Sequence, residues 1–147
     1  MTLDSQSLDG KYYEAAAPRS LGERLTAAAR DRIYADFLRL TRPAPETTIL
    51  DIGVSDVVND AANVLERRYP HSHRITAAGL GPAPAFRAAH PQVTYRQIDA
   101  DCRLPFPDRS FGIATSNAVL EHVGSPGNQR LMLSEMLRVA RTVFVTV

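Results

Sequence analysis

The sequence predicts an α/β domain: a doubly wound, mostly parallel sheet with an extra helix at its N-terminal side. Two observations lead there. Short β-branched apolar runs alternate along the 147 residues with segments whose apolar positions fall at helical spacing, and such alternation implies βαβ crossovers, hence a parallel sheet with helices on both faces. The run Thr47 to Gly53 is moreover apolar nearly throughout, as expected of a strand covered on both sides.

The elements follow in order. Met1 to Pro18 is polar apart from Tyr12, Tyr13 and a short alanine run, and residues 1–19 read as an arm ahead of one domain over 20–147. From Ser20, placed as an N-cap, Leu21, Leu25, Ala29, Ile33, Phe37 and Leu40 recur at three- and four-residue steps until Pro43 stops the helix. Arg24, Arg30, Arg32, Arg39 and Arg42, interleaved with them, read as its solvated face. A strand over 47–53 leads to a helix over about Val58 to Tyr69, which halts before Pro70. A second strand spans 74–80, a helical piece about 83–89, a third strand 93–99 and a fourth 111–117. A helix over about 128–141 buries Met132, Leu133, Met136, Leu137 and Ala140, and a fifth strand, 142–147, runs into the end of the chain.

Composition bounds the partners. With 44% apolar and 22% charged residues the chain falls among ordinary globular domains. Its 17 basic side chains against 16 acidic ones leave almost no field to attract nucleic acid or anionic lipid. The single Cys102 cannot form an internal disulfide, no signal-peptide pattern opens the chain, and the longest apolar segments are strand-sized. A soluble cytoplasmic protein without nucleic-acid or membrane partners is expected.

In a doubly wound sheet the ligand lies beyond the carboxyl ends of the strands, where strand order reverses. The residues to inspect are therefore Asp51-Ile52-Gly53, Gly79-Leu80, Asp99-Ala100 and Ser116-Asn117. Gly53 permits a sharp turn after the first strand, the following helix offers its positive end to an anionic group, and Asp51 can accept from a ligand ammonium.

At these positions the chain resembles the class I S-adenosylmethionine-dependent methyltransferases, particularly the group labelled type 11. Thr47-Thr48-Ile49-Leu50-Asp51-Ile52-Gly53 is similar to their first motif. Leu104-Pro105-Phe106-Pro107-Asp108-Arg109-Ser110-Phe111 is similar to their entry into the fourth strand, and the likeness continues through Ser116-Asn117-Ala118-Val119-Leu120-Glu121-His122-Val123. The resemblance covers about Tyr34 to Val147 and implies a Rossmann-like fold and an S-adenosylmethionine site. Asp51, Gly53 and Ser55 would stand by the methionine part, Gly79 and Leu80 at the second strand end, Asp99 and Ala100 near the adenine, and Asn117 at the methionine end. It implies in-line transfer of a methyl group to a small-molecule acceptor. His122 is the nearby imidazole suited to accept a proton from it, and Tyr12 and Tyr13 are candidates to fold over the cofactor.

The chain departs from the family at three points. Further glycines usually follow the first, whereas here the loop is Gly53-Val54-Ser55-Asp56-Val57-Val58. Asp56 either attracts the ligand ammonium or repels its carboxylate. The acid that ordinarily holds the ribose hydroxyls is replaced by Gly79, and losing such a charge-assisted pair costs roughly 1.5 to 3 kcal/mol, a ten- to hundredfold weakening. The family sheet normally continues into a sixth and seventh strand; without that hairpin the fifth strand is an open edge, so either the chain is a fragment of a longer protein or another chain, as in a homodimer, covers that edge. These departures also sustain a second reading, a degenerate methyltransferase-like domain that binds cofactor weakly or not at all and serves as an interaction module.

Other chemistry is disfavoured. His71-Ser72-His73 lacks a third metal ligand at useful spacing, and Cys102 is assigned no role. Gly53-Val54-Ser55 lacks the second glycine of a nucleophile elbow, no phosphate-binding Gly-Lys-Ser/Thr occurs, and the three-glycine nicotinamide fingerprint is missing.

Overall fold

A computed structural model describes residues 21–58 and 62–147. Helix α1 (Leu21–Thr41) leads to β1 (Ile49–Ile52), α2 (Val64–Arg68), β2 (Ile75–Gly79), α3 (Pro84–Ala89), β3 (Thr94–Gln97), β4 (Phe111–Asn117), α4 (Pro126–Val139) and β5 (Ala140–Thr146). The five strands form one sheet in the order β3-β2-β1-β4-β5, every pairing parallel, with Ile49 in register with both Ile75 and Ile113. The Rossmann-like, doubly wound fold expected from the sequence is present. The chain winds outward from β1 to β3, then returns to the other side of β1 for β4 and β5, so strand order reverses between β1 and β4.

Alternate residues of β1 face opposite layers. Leu50 and Ile52 join Ala78, Ala114 and Leu104 beneath Met132, Met136 and Val139 of α4. Ile49 joins Ile75, Ala77 and Ile113 beneath Phe37 of α1, Leu65 of α2 and Phe86 of α3. The buried stripe of α4 differs from the expected one: Met132, Met136 and Val139 turn inward, and Leu137 is 66% exposed. The helix also starts earlier than expected, because Pro126 occupies its first turn and the Ser125 hydroxyl accepts from the Asn128 amide at 3.2 Å.

The first crossover departs most from expectation. Instead of a helix from about Val58, the described helix begins at Val64. Asn63, with φ of 49°, accepts from the Ser55 amide at 3.0 Å and donates to the Ser55 carbonyl at 2.8 Å. That side-chain bridge satisfies loop backbone that a helix would otherwise need to pair. Ser20, Tyr12, Tyr13 and the rest of the arm lie outside the described residues, as do residues 59–61.

The segment entering β4 is fastened by Arg138. Prolines at 105 and 107 leave this stretch short of backbone donors. The Arg138 guanidinium donates to the carbonyls of Leu104 and Phe106 at 2.9 and 2.8 Å and to the carboxylates of Asp108 and Glu135 at 2.8 and 2.7 Å. Glu135 in turn accepts from the Leu104 amide at 2.9 Å.

Candidate active site

A cleft with a volume of about 100 Å³ opens at the carboxyl ends of β1 and β4, where strand order reverses. β1 supplies Asp51 and the following loop Gly53 and Ser55; β4 supplies Thr115 and Asn117; α1 lays Arg30, Tyr34 and Phe37 across the opening; and Phe144 of β5 lines one side. Position 51 has the parity of Ile49, so its side chain turns to the α1–α2 layer.

There Asp51 meets Glu66, which extends from α2 and is only 4% exposed. Burial pushes the Asp51 carboxyl well above the usual carboxylate range, the Glu66 charge pushes it further, and Arg30 opposes the rise. Burial also raises Glu66, against a hydrogen bond from Asp51 that favours its charged form. No nitrogen or hydroxyl donor reaches either Glu66 oxygen among the described residues. Two ionised carboxylates buried side by side repel each other, so burial and their mutual charge favour the protonated form of the pair.

Gly53 has φ of 89°, and its amide donates to the Ala78 carbonyl at 2.8 Å. A Cβ at this position would stand 2.2 Å from Cγ2 of Val119. The space freed by the missing side chain is therefore filled by the chain leaving β4. Asn117 accepts a 2.6 Å hydrogen bond from the Thr146 hydroxyl, which ties β4 to β5 at the rim of the cleft.

The remaining candidates fall elsewhere. A Cβ on Gly79 would lie 2.7 Å from the Tyr95 hydroxyl, which donates to the Gly81 carbonyl; aromatic bulk from β3 occupies the room an acid would need. Leu80 is 60% exposed, and Asp99 and Ala100 are exposed beyond the end of β3. His122 is exposed in a short 3-10 turn, 4.0 Å from the Glu121 carboxylate, and does not line the cleft. Asp56 does not line the cleft; its carboxylate accepts from the Phe86 amide at 2.8 Å, in the first turn of α3. Asp51, Gly53, Ser55 and Asn117 are thus brought together, while Gly79, Leu80, Asp99, Ala100 and His122 are not.

Arg30 and Glu66 were not among the sequence candidates. Arg30 read as part of a solvated helix face and Glu66 was singled out for nothing; the turn of α2 toward β1 is what buries Glu66 beside Asp51.

A family model described as a methyltransferase domain matches residues 50–142, more than half of the chain. The chain belongs to the methyltransferase domain family. Solved structures with the same fold include the YcgJ protein of Bacillus subtilis, at 22% identity over 75% of this chain and 46% of that one, TM-score 0.57. The PH0226 protein of Pyrococcus horikoshii aligns over 92% of this chain and 66% of its own at 14% identity, TM-score 0.66. An S-adenosylmethionine-dependent methyltransferase from Mesorhizobium loti aligns at 22% identity over 74% of this chain and 49% of that one, TM-score 0.51. This methyltransferase domain spans about half the length of several solved structures it matches. No curated protein matches the sequence significantly. Among the described residues no helix is long and apolar enough to cross a membrane.

Proposed function

We propose that this domain is the cofactor-holding part of an S-adenosylmethionine-dependent methyltransferase that acts on a small-molecule acceptor by direct in-line displacement. The observation behind this reading is the cleft at the switch point between β1 and β4, lined by Asp51, Gly53, Ser55 and Asn117. The residues fit the two ends of such a cofactor unequally. Its amino-acid end would find the Asp51 carboxyl and the Arg30 guanidinium, which line the same cleft. Its ribose finds no acid: Tyr95 fills the space beside Gly79, so nucleoside contacts contribute less here than in relatives with an acid at that place.

When bound, the cofactor supplies a methyl group on an electrophilic sulfonium. The chain's own part is positional. Asp51 and Asn117 orient the amino-acid end, the Ser55–Asn63 bridge fixes the loop above β1, and α1 shields the cleft from water through Tyr34 and Phe37. His122 stands apart from the cleft, so no proton transfer is assigned to it.

Calorimetric titration with S-adenosylhomocysteine tests the reading, with Asp51→Ala as control. Micromolar binding abolished by the substitution is the expected result; no heat from a folded chain would refute it. The filled space at Gly79 and the engagement of Asp56 with α3 favour a second reading, an interaction module that pairs with a second copy along β5, whose one strand neighbour among the described residues is β4. It predicts concentration-dependent association without cofactor binding.

A further inference from the structure

We propose that β5 pairs antiparallel with β5 of a second copy about a two-fold axis through Phe144. Such a pairing deepens the interaction-module reading, on whose open edge it rests, and is equally compatible with a domain that binds cofactor. Backbone geometry limits where the axis can stand, and the sequence of the strand then selects one position.

Among the described residues β5 has one strand neighbour, β4, with Thr115 in register with Phe144 and Asn117 with Thr146. The Thr146 carbonyl accepts from the Ala118 amide at 3.1 Å, so Thr146 turns its N–H and C=O toward β4. Backbone groups of successive residues point to opposite sides of a strand, so Thr142 and Phe144 do the same, while Val143 and Val145 hold theirs toward the open edge. Residues opposite each other in an antiparallel pair either exchange both backbone bonds or exchange none. The two-fold of an isologous pair must therefore stand on a residue. An axis between two residues would set outward backbone groups against inward ones.

Thr142-Val143-Phe144-Val145-Thr146 reads the same in both directions. With the axis at Phe144, Val143 of each copy exchanges backbone bonds with Val145 of the other. Thr142 then stands opposite Thr146, and the two Phe144 side chains stand opposite each other. Aromatic pairs and Thr–Thr pairs are among the cross-strand contacts that stabilise a ladder. An axis at Val143 or Val145 sets Phe144 against a threonine, and both matched pairs are lost.

Apolar surface continues on each face of the edge. Val143 and Val145 pack against the core beneath α4, the helix that leaves Leu137 exposed. On the other face the Phe37 ring meets the Phe144 ring edge-on at 5.6 Å, and Leu40, one helical turn later, is exposed. Charge does not oppose the pairing, because the one charged residue of β5, Arg141, falls opposite Val147 rather than opposite its own copy.

Sedimentation equilibrium without ligand tests the association, so its outcome is separate from cofactor binding. The parent chain should pass from monomer to dimer with rising concentration and go no further, since a closed two-fold uses both edges. Val143→Pro removes a donor that β4 does not use, and an edge strand tolerates proline. That variant should keep the parent's circular dichroism and lose the dimer. Disulfide trapping reads the register. Positions 142 and 146 form a pair without backbone bonds, with Cα atoms about 4.5 Å apart, within disulfide reach, and the native Cys102 is buried. Under mild oxidation Thr142→Cys and Thr146→Cys should each remain uncrosslinked alone and crosslink when mixed. A parent chain that stays monomeric overturns both this pairing and the interaction-module reading. A dimer that survives Val143→Pro, or a mixture that fails to crosslink, overturns the pairing and leaves that reading; should Val143→Pro not fold, the trapping experiment decides alone.

Discussion

Substituting Gly53 by alanine tests whether the first loop is shaped by packing against the strand-4 exit. Two costs add. A φ of 89° puts an L side chain outside its comfortable region, about 1–2 kcal/mol. The new Cβ would lie 2.2 Å from Val119 Cγ2, an overpacking worth about 1–3 kcal/mol. Gly53→Ala should therefore cost about 2–5 kcal/mol, measured by urea denaturation, and lower Tm by about 2–4 °C for each kcal/mol. The two terms separate in a double-mutant cycle. Val119→Ala removes Cγ2 and leaves Cβ at 3.4 Å, ordinary contact. In that background Gly53→Ala should retain only the conformational cost, so the cycle should show about 1–3 kcal/mol of coupling. Additivity within about 0.5 kcal/mol would refute the reasoning and mean that the loop does not rest on Val119.

Further predictions follow from the same geometry. The Arg138 guanidinium and the Leu104 amide hold Glu135 at about 2, below its ordinary value. A depressed carboxyl contributes stability that is present above its unfolded value and lost as pH falls through its folded one, so unfolding free energy should drop between about pH 4.5 and 2; Glu135→Gln should flatten that limb and cost about 1–2 kcal/mol at pH 7 after solvent screening. The Asp51–Glu66 pair runs the other way. Carboxyls raised on folding favour the fold at low pH and oppose it as pH climbs above the ordinary carboxylate range. Glu66→Gln should thus gain stability relative to the parent as pH rises from about 4.5 to 7.5, and a pH-independent difference in melting would refute the protonated pair. Gly79→Asp should not strengthen S-adenosylhomocysteine binding, because its Cβ meets the Tyr95 hydroxyl at 2.7 Å and the Val54 carbonyl at 3.2 Å. It should destabilise by about 1–3 kcal/mol instead, and a tenfold gain in affinity would contradict the assignment of that space to Tyr95.

Much of the fold was legible because its signals are local. The strand over 111–117 is read at its observed bounds, since Phe111, Ile113 and Thr115 alternate with the small Gly112, Ala114 and Ser116 after the turn at Pro107-Asp108-Arg109. The first crossover was not legible. Ala61, Ala62, Val64 and Leu65 suggest a helix from 58, and nothing nearby signals that Asn63 will bridge back to Ser55 across eight residues. Leu137 was misread for a related reason: stripes through Leu133–Leu137 and Met132–Met136–Val139 satisfy the same period, and only the position of the sheet chooses between them. At the site, strand-end positions on β1 and β4 were found by topology alone, because the switch point follows from strand order. Arg30 and Glu66 escaped notice because a charge on a helix takes its meaning from what the helix packs against.

The departures from the family pattern are related physically. With no acid at position 79, the Tyr95 hydroxyl moves into the freed space and Asp56, from the glycine-poor loop, binds the first turn of α3. Both contacts occupy space beside the first loop. The cleft at the switch point lies over β1 and β4, where Arg30 of α1 and Asp51 of β1 share one lining. Under the methyltransferase reading, the binding energy that an acid at position 79 would draw from a ribose has to come from elsewhere on the ligand.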